Sequence, residues 1–126
     1  MIESIDTGVL PSTGPVSDAV RAGGLVWMVA LSEDPKTGEI VTGDIEVQAR
    51  RTLENLEMAA KAAGGSLADV VQVQVFLTDA ADARGMNKVY AEFFSKPYPV
   101  RATVVVKELL AQGLRIEMTA TAAIAR

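Results

Sequence analysis

One charge interrupts the run Pro97-Tyr-Pro-Val-Arg-Ala-Thr-Val-Val-Val106, and it is the guanidinium of Arg101. A valine-rich run of this kind reads as a buried strand. A guanidinium there is costly to desolvate unless a carboxylate or an incoming anion meets it. Its planar fork matches a carboxylate through two parallel hydrogen bonds, so a small acid-binding pocket is the first expectation. The chain has 0 cysteines and 0 histidines, which removes thiol nucleophiles, histidine triads, disulfides and the usual zinc sites. Catalysis is left to carboxylates, hydroxyls, backbone amides, Arg and Lys. Glu117, in the alternating segment Leu114-Arg-Ile-Glu-Met-Thr-Ala120, is the matching candidate. If the last two strands pair, Arg101, Thr103 and Glu117 share one face. An Arg that holds a substrate carboxylate beside a Glu that orients a water is a hydrolytic arrangement for a C=N carbon. It needs neither metal nor cofactor.

The elements that must position these residues follow from periodicity. Leu25-Val-Trp-Met-Val-Ala-Leu31, preceded by Gly23-Gly24, reads as a buried strand. Asp34-Pro-Lys-Thr-Gly38 is a surface turn. From Asp44 to Ala63 the residues Ile45, Ala49, Leu53, Leu56, Ala60 and Ala63 recur at helical spacing, with Thr42 or Asp44 as the cap and Gly64-Gly65 as the stop. Val71, Val73, Val75 and Leu77 alternate with polar neighbours and predict a strand. A second helix opens at Asp79 or Asp82, buries Met86, Val89, Tyr90 and Phe93, and stops before Pro97. The segment Glu108–Gly113 is short enough to join the last two strands as an antiparallel pair. The fold class is therefore α+β: a mixed sheet of about six strands with two helices on one face. The other face would carry Trp27, Phe76, Arg101 and Glu117, too mixed for a dry core and too apolar for plain solvent. Packing against neighbouring subunits resolves that conflict.

At 126 residues the chain forms a single domain over 1–126, and 49% hydrophobic with 22% charged residues is an ordinary globular balance. A net charge of -4, with no basic cluster, argues against nucleic acid as a partner. No apolar run approaches a membrane span, and the first residues lack the basic and apolar regions of a signal peptide, so the cytoplasm is the expected compartment.

Pro99-Val-Arg-Ala-Thr-Val-Val-Val106, Asn87-Lys-Val-Tyr-Ala-Glu-Phe-Phe94, Asp34-Pro-Lys-Thr-Gly-Glu39 and Ile116-Glu-Met-Thr-Ala120 resemble the Rid (YjgF) family of reactive intermediate deaminases. The resemblance runs from Gly14-Pro15 to the end. It implies a homotrimer with a chorismate-mutase-like fold, whose sheets form a central barrel and whose sites lie in clefts between subunits. It implies hydrolysis of 2-imino or 2-enamino acids to 2-keto acids and ammonia. It matches the family's carboxylate-binding Arg to Arg101, its water-orienting Glu to Glu117 and its helix Asn to Asn87. Three departures stand out: Val16 in place of the Tyr after Gly-Pro, Val29-Ala30-Leu31 in place of a Ser-Gly-Gln segment, and Thr103 in place of Cys. Val16, Val29, Ala30, Asn87 and Thr103 are thus expected to shape the pocket, with a more apolar wall. Two other readings stand beside this one: a non-catalytic trimer that binds a small carboxylate or a partner, and a deaminase for a larger, aminomuconate-like substrate.

Overall fold

Asp44 starts the first helix, α1 (Ile45–Ala62), by accepting a hydrogen bond from the amide of Val47 at 3.0 Å. Along α1 the expected stripe of Ala49, Leu53, Leu56 and Ala60 is buried, and Gln48, Thr52 and Asn55 are buried beside it. The computed structural model describes residues 1–125. The second helix, α2 (Ala83–Phe93), follows a 3-10 turn capped by Asp79 and buries Met86, Val89 and Tyr90. Phe94, just past its end, is also buried.

The strands are β1 (Glu3–Ser4), β2 (Ala19–Ala22), β3 (Leu25–Leu31), β4 (Val70–Leu77), β5 (Val100–Val105) and β6 (Ile116–Ala123). They form one sheet in the order β1-β2-β3-β6-β4-β5. The expected α+β architecture is present: a mixed six-stranded sheet with two helices. The core face is built from Val26, Met28 and Ala30 of β3, Val73, Val75 and Leu77 of β4, and Ile116, Met118 and Ala120 of β6. Cross-strand register places these side by side, and they pack with the buried stripes of both helices.

Two expectations fail, for connected reasons. β5 and β6 do not pair, because β4 lies between them. β4 and β5 run parallel, since α2 joins them as a crossover, and β6 is antiparallel to β4. The short connection after β5 therefore passes over one strand instead of closing a hairpin. Nor is β5 a buried strand. It is the sheet's last strand, with Val100, Val104 and Val105 exposed. The remaining discrepancy is local. A register shift between Val70 and Gln72 turns Val70 inward and leaves Val71 exposed, so the alternation breaks at its first residue.

Candidate functional site

The register assigns each chemical residue to a face. Arg101 pairs with Val73 and Thr103 with Val75, so both point to the helix side of the sheet. Glu117 pairs with Leu31 on one side and Phe76 on the other, and Phe76 pairs with Val104. Glu117 therefore lies on the opposite face. Within one chain Arg101, Thr103 and Glu117 do not share a face, and no Arg101–Glu117 ion pair forms.

Arg101 is held by α2. Its Nη2 donates to Oδ1 of Asn87 at 2.7 Å, and its Cζ stands 4.6 Å from the centroid of the Tyr90 ring. Nη1 makes a weak contact with the Met86 sulfur at 3.8 Å. Met86, Asn87 and Tyr90 occupy one side of a single helical turn, which is why one helix reaches the guanidinium three ways. Tyr90 in turn stacks on Phe94 with centroids 4.5 Å apart. No carboxylate among the described residues bonds Arg101, so most of its donors remain available to an anion.

Tyr90 was expected only as core, yet it supports the guanidinium from below while its own buried hydroxyl has no hydrogen-bond partner among the described residues. Burial raises the phenol pKa, and the Arg101 charge pulls the other way. Replacing Tyr90 by Phe keeps the ring under Arg101 and removes an unsatisfied polar atom, so acid binding and stability should hold. Replacing it by Leu removes the π face, and keto-acid affinity should fall roughly 2- to 30-fold, the size of a cation–π contact. Titration of both variants with pyruvate checks this.

Glu117 sits in a cleft of about 580 Å³ on the other face. Val16 and Val29 line it, together with Leu10, Leu31, Leu110 and Leu114. Ala30, expected in the pocket wall, instead turns its side chain into the core. Thr103 lies on the exposed helix side of β5 and does not line this cleft. The cleft also contains Asp18 and Glu33, which sequence reasoning missed. Only their sequence distance from Glu117 hid them. Burial raises the pKa of all three carboxylates, and the charge of Asp18 raises Glu33 further. Such a raised pKa costs stability at neutral pH, and the loss disappears as pH falls through the elevated value.

Two buried amides fix the cleft walls. Asn55 of α1 donates to the carbonyls of Leu31 and Glu33 at 3.0 and 2.8 Å, pinning the end of β3. Gln48 donates to the carbonyl of Gly113 at 2.9 Å and accepts from the amide of Arg115 at 2.8 Å. Arg115 also forks onto buried Asp82 at 2.9 and 2.8 Å. The loop bearing Leu110 is thus tied at its base to both helices. No group of His, Cys, Asp and Glu among the described residues has the arrangement of a metal site.

Comparison with known proteins gives the arrangement its context. The family model described as Endoribonuclease L-PSP matches residues 8–124. A RutC family protein of Pyrococcus horikoshii is 47% identical over 97 residues, covering 76% of this chain and 77% of that protein. A 2-iminobutanoate/2-iminopropanoate deaminase of Dermatophagoides farinae is 35% identical over 116 residues, covering 90% of each. The crystal structure of E. coli TdcF with bound serine superposes with a TM-score of 0.88 at 33% identity, covering 98% of this chain and 99% of that one. A match over nearly the whole chain, and a shared fold at this identity, place this protein in the Endoribonuclease L-PSP (YjgF/Rid) family.

Proposed function

We propose that this chain is a hydrolytic deaminase of 2-imino acids, with a site shared between copies. One observation carries the reading. Among the described residues Arg101 has no carboxylate partner, and the cleft around Glu117 is lined by no Lys or Arg. Each half lacks what the other holds, and they lie on opposite faces of one sheet. The exposed valines of β5 give the halves a reason to meet: an apolar edge strand is unstable as a free surface and seeks a second chain. In a closed ring of three copies, β5 of one chain would set Arg101 against the Glu117 cleft of the next.

In that site Arg101 binds the substrate carboxylate, with Asn87 and Tyr90 fixing its fork. Glu117 orients a water toward the imine carbon. The C–O bond forms as the C=N π bond opens, and the proton taken from water passes through Glu117 to the nitrogen. Glu117 then carries the hydroxyl proton of the carbinolamine to its amino nitrogen, and ammonia departs as the 2-keto acid carbonyl closes. No cofactor is required. Phosphodiester cleavage, which the family model's description names, is disfavoured here: there is no histidine, and among the described residues three carboxylates and no cation line the cleft.

The test follows 2-iminopropanoate and 2-iminobutanoate, generated in situ by an amino-acid oxidase. The protein should accelerate their decay, and Arg101→Ala and Glu117→Gln should each abolish the acceleration. Mixing the two inactive variants after unfolding and reassembly should restore a fraction of it. No acceleration with any imino acid sinks the deaminase, and no restoration on mixing sinks the shared site. Stabilisation by 2-keto acids without turnover would instead favour the binding-only reading, for which the absent hydroxyls at Val16 and Val29 speak.

Glu117 must be charged to orient water, and burial lifts its pKa above the ordinary 4.5. Activity should therefore fall on acidification, with the limb above that ordinary value. Glu117→Gln should remove the limb from whatever residual rate survives. A pH–rate profile of kcat/KM reads both.

A further inference from the structure

We propose that the Glu117 cleft selects 2-imino acids with long, uncharged aliphatic side chains and rejects dicarboxylic ones, an inference that rests on the deaminase reading. Two features of the cleft lead to this.

The first is its size and wall. A cleft of about 580 Å³ falls in the range that encloses ligands well above three carbons. Leu10, Leu31, Leu110 and Leu114 line it with Val29, and none of these presents a polar side chain. On the single chain Leu110 is fully exposed at 105% and Leu10 half-exposed at 48%, so both offer apolar surface at the mouth of the cleft. A methyl side chain would leave most of that surface wet. An isobutyl or thioether chain reaching past Glu117 would cover it, at about fourfold in affinity per added methylene.

The second is the charge balance. Asp18, Glu33 and Glu117 line the same cleft, and among the described residues no Lys or Arg does. Asp18 and Glu33 already repel one another. With the substrate's own carboxylate held outside by Arg101, a second carboxylate on the side chain would enter a space with no counter-charge. Specificity of this kind comes from the repulsive element as much as from the attractive wall. It also weighs against an aminomuconate-like acid, whose second carboxylate finds no partner here.

The experiment compares imines generated in situ from alanine, leucine and glutamate, in parallel with thermal stabilisation by pyruvate, 4-methyl-2-oxopentanoate and 2-oxoglutarate. The leucine-derived imine should exceed the alanine-derived one in kcat/KM by about tenfold or more, from three added carbons at about fourfold each less the loss of chain freedom. The glutamate-derived imine should fall at least about tenfold below the leucine-derived one. An Asp18→Asn/Glu33→Gln variant should narrow that second gap. Equal or faster turnover of the alanine-derived imine overturns the inference while leaving the deaminase standing, as does a glutamate gap that the double variant leaves unchanged. If no imine is accelerated, the deaminase reading falls. The order of stabilisation by the three keto acids then decides the selectivity: 4-methyl-2-oxopentanoate first upholds it, and pyruvate or 2-oxoglutarate first overturns it.

Discussion

Alanine at position 101 is expected to lower kcat/KM for imino acids by about 100-fold or more while leaving the fold intact. The catalytic loss follows from removing the proposed bidentate, charge-assisted grip, which would both bind the acid and orient the imine carbon. Truncating one member of such a pair typically costs 2–5 kcal/mol, or roughly 30- to 4000-fold. Stability should change by less than about 1 kcal/mol, because Arg101 is half-exposed on the outermost strand and, among the described residues, engages only Asn87, Met86 and the Tyr90 face. Arg101→Lys separates charge from shape. It keeps the cation but loses the fork and the flat stacking surface, so activity should fall roughly tenfold with KM rising more than kcat falls. An alanine variant as active as the parent would remove Arg101 from the site.

The largest effect on stability is expected at Arg21. It lies on the helix side of β2, paired with Val26, and is nearly fully buried. Its two terminal nitrogens donate to the carbonyls of Ile124 and Ala63, and its Nε lies 3.9 Å from Glu3. One side chain thus ties the end of α1 to the residue that follows β6, in a place no water reaches easily. Arg21→Ala would strand two carbonyls and open a cavity, at a cost of about 3–5 kcal/mol. For a domain of this size that is a drop of roughly 10–20 °C in Tm. Lysine, reaching only one carbonyl, should recover part of it. Thermal or urea unfolding measures both, and an alanine variant within about 1 kcal/mol of the parent would show that Arg21 holds nothing together.

Arg21 also shows where sequence reading stops. Both helices, β3 and the inward face of β6 were legible because apolar residues mark them at a period of 3.6 or 2. β1 and β2 were not, being short and carrying at Arg21 a charge on the core face, where the pattern asks for an apolar residue. The pairing of β5 escaped for another reason. A short connection favours a hairpin, but the crossover through α2 had already committed β5 to lie parallel to β4. Alternation told which residues of β5 share a face and could not tell which face that was. So Arg101 and Glu117, singled out by residue type, were wrongly placed on one face. The cleft carboxylates Asp18 and Glu33 and the wall residue Leu110 come from three separate loops, and only the fold brings them to Glu117.

The place of β6 in the sheet has a consequence for how the chain comes into being. β6 leaves the ribosome after every other strand, yet it is the strand that joins β3 to β4. Until it emerges, β1–β3 and the β4–α2–β5 unit are two partial sheets, each with a bare inner edge. The nascent chain therefore cannot complete its core stepwise as it is made, and an arrest before Ile116 would leave both edges open to strangers. Glu117 itself sits on that closing strand. The residue proposed to activate water arrives in place only at the moment the sheet is finished.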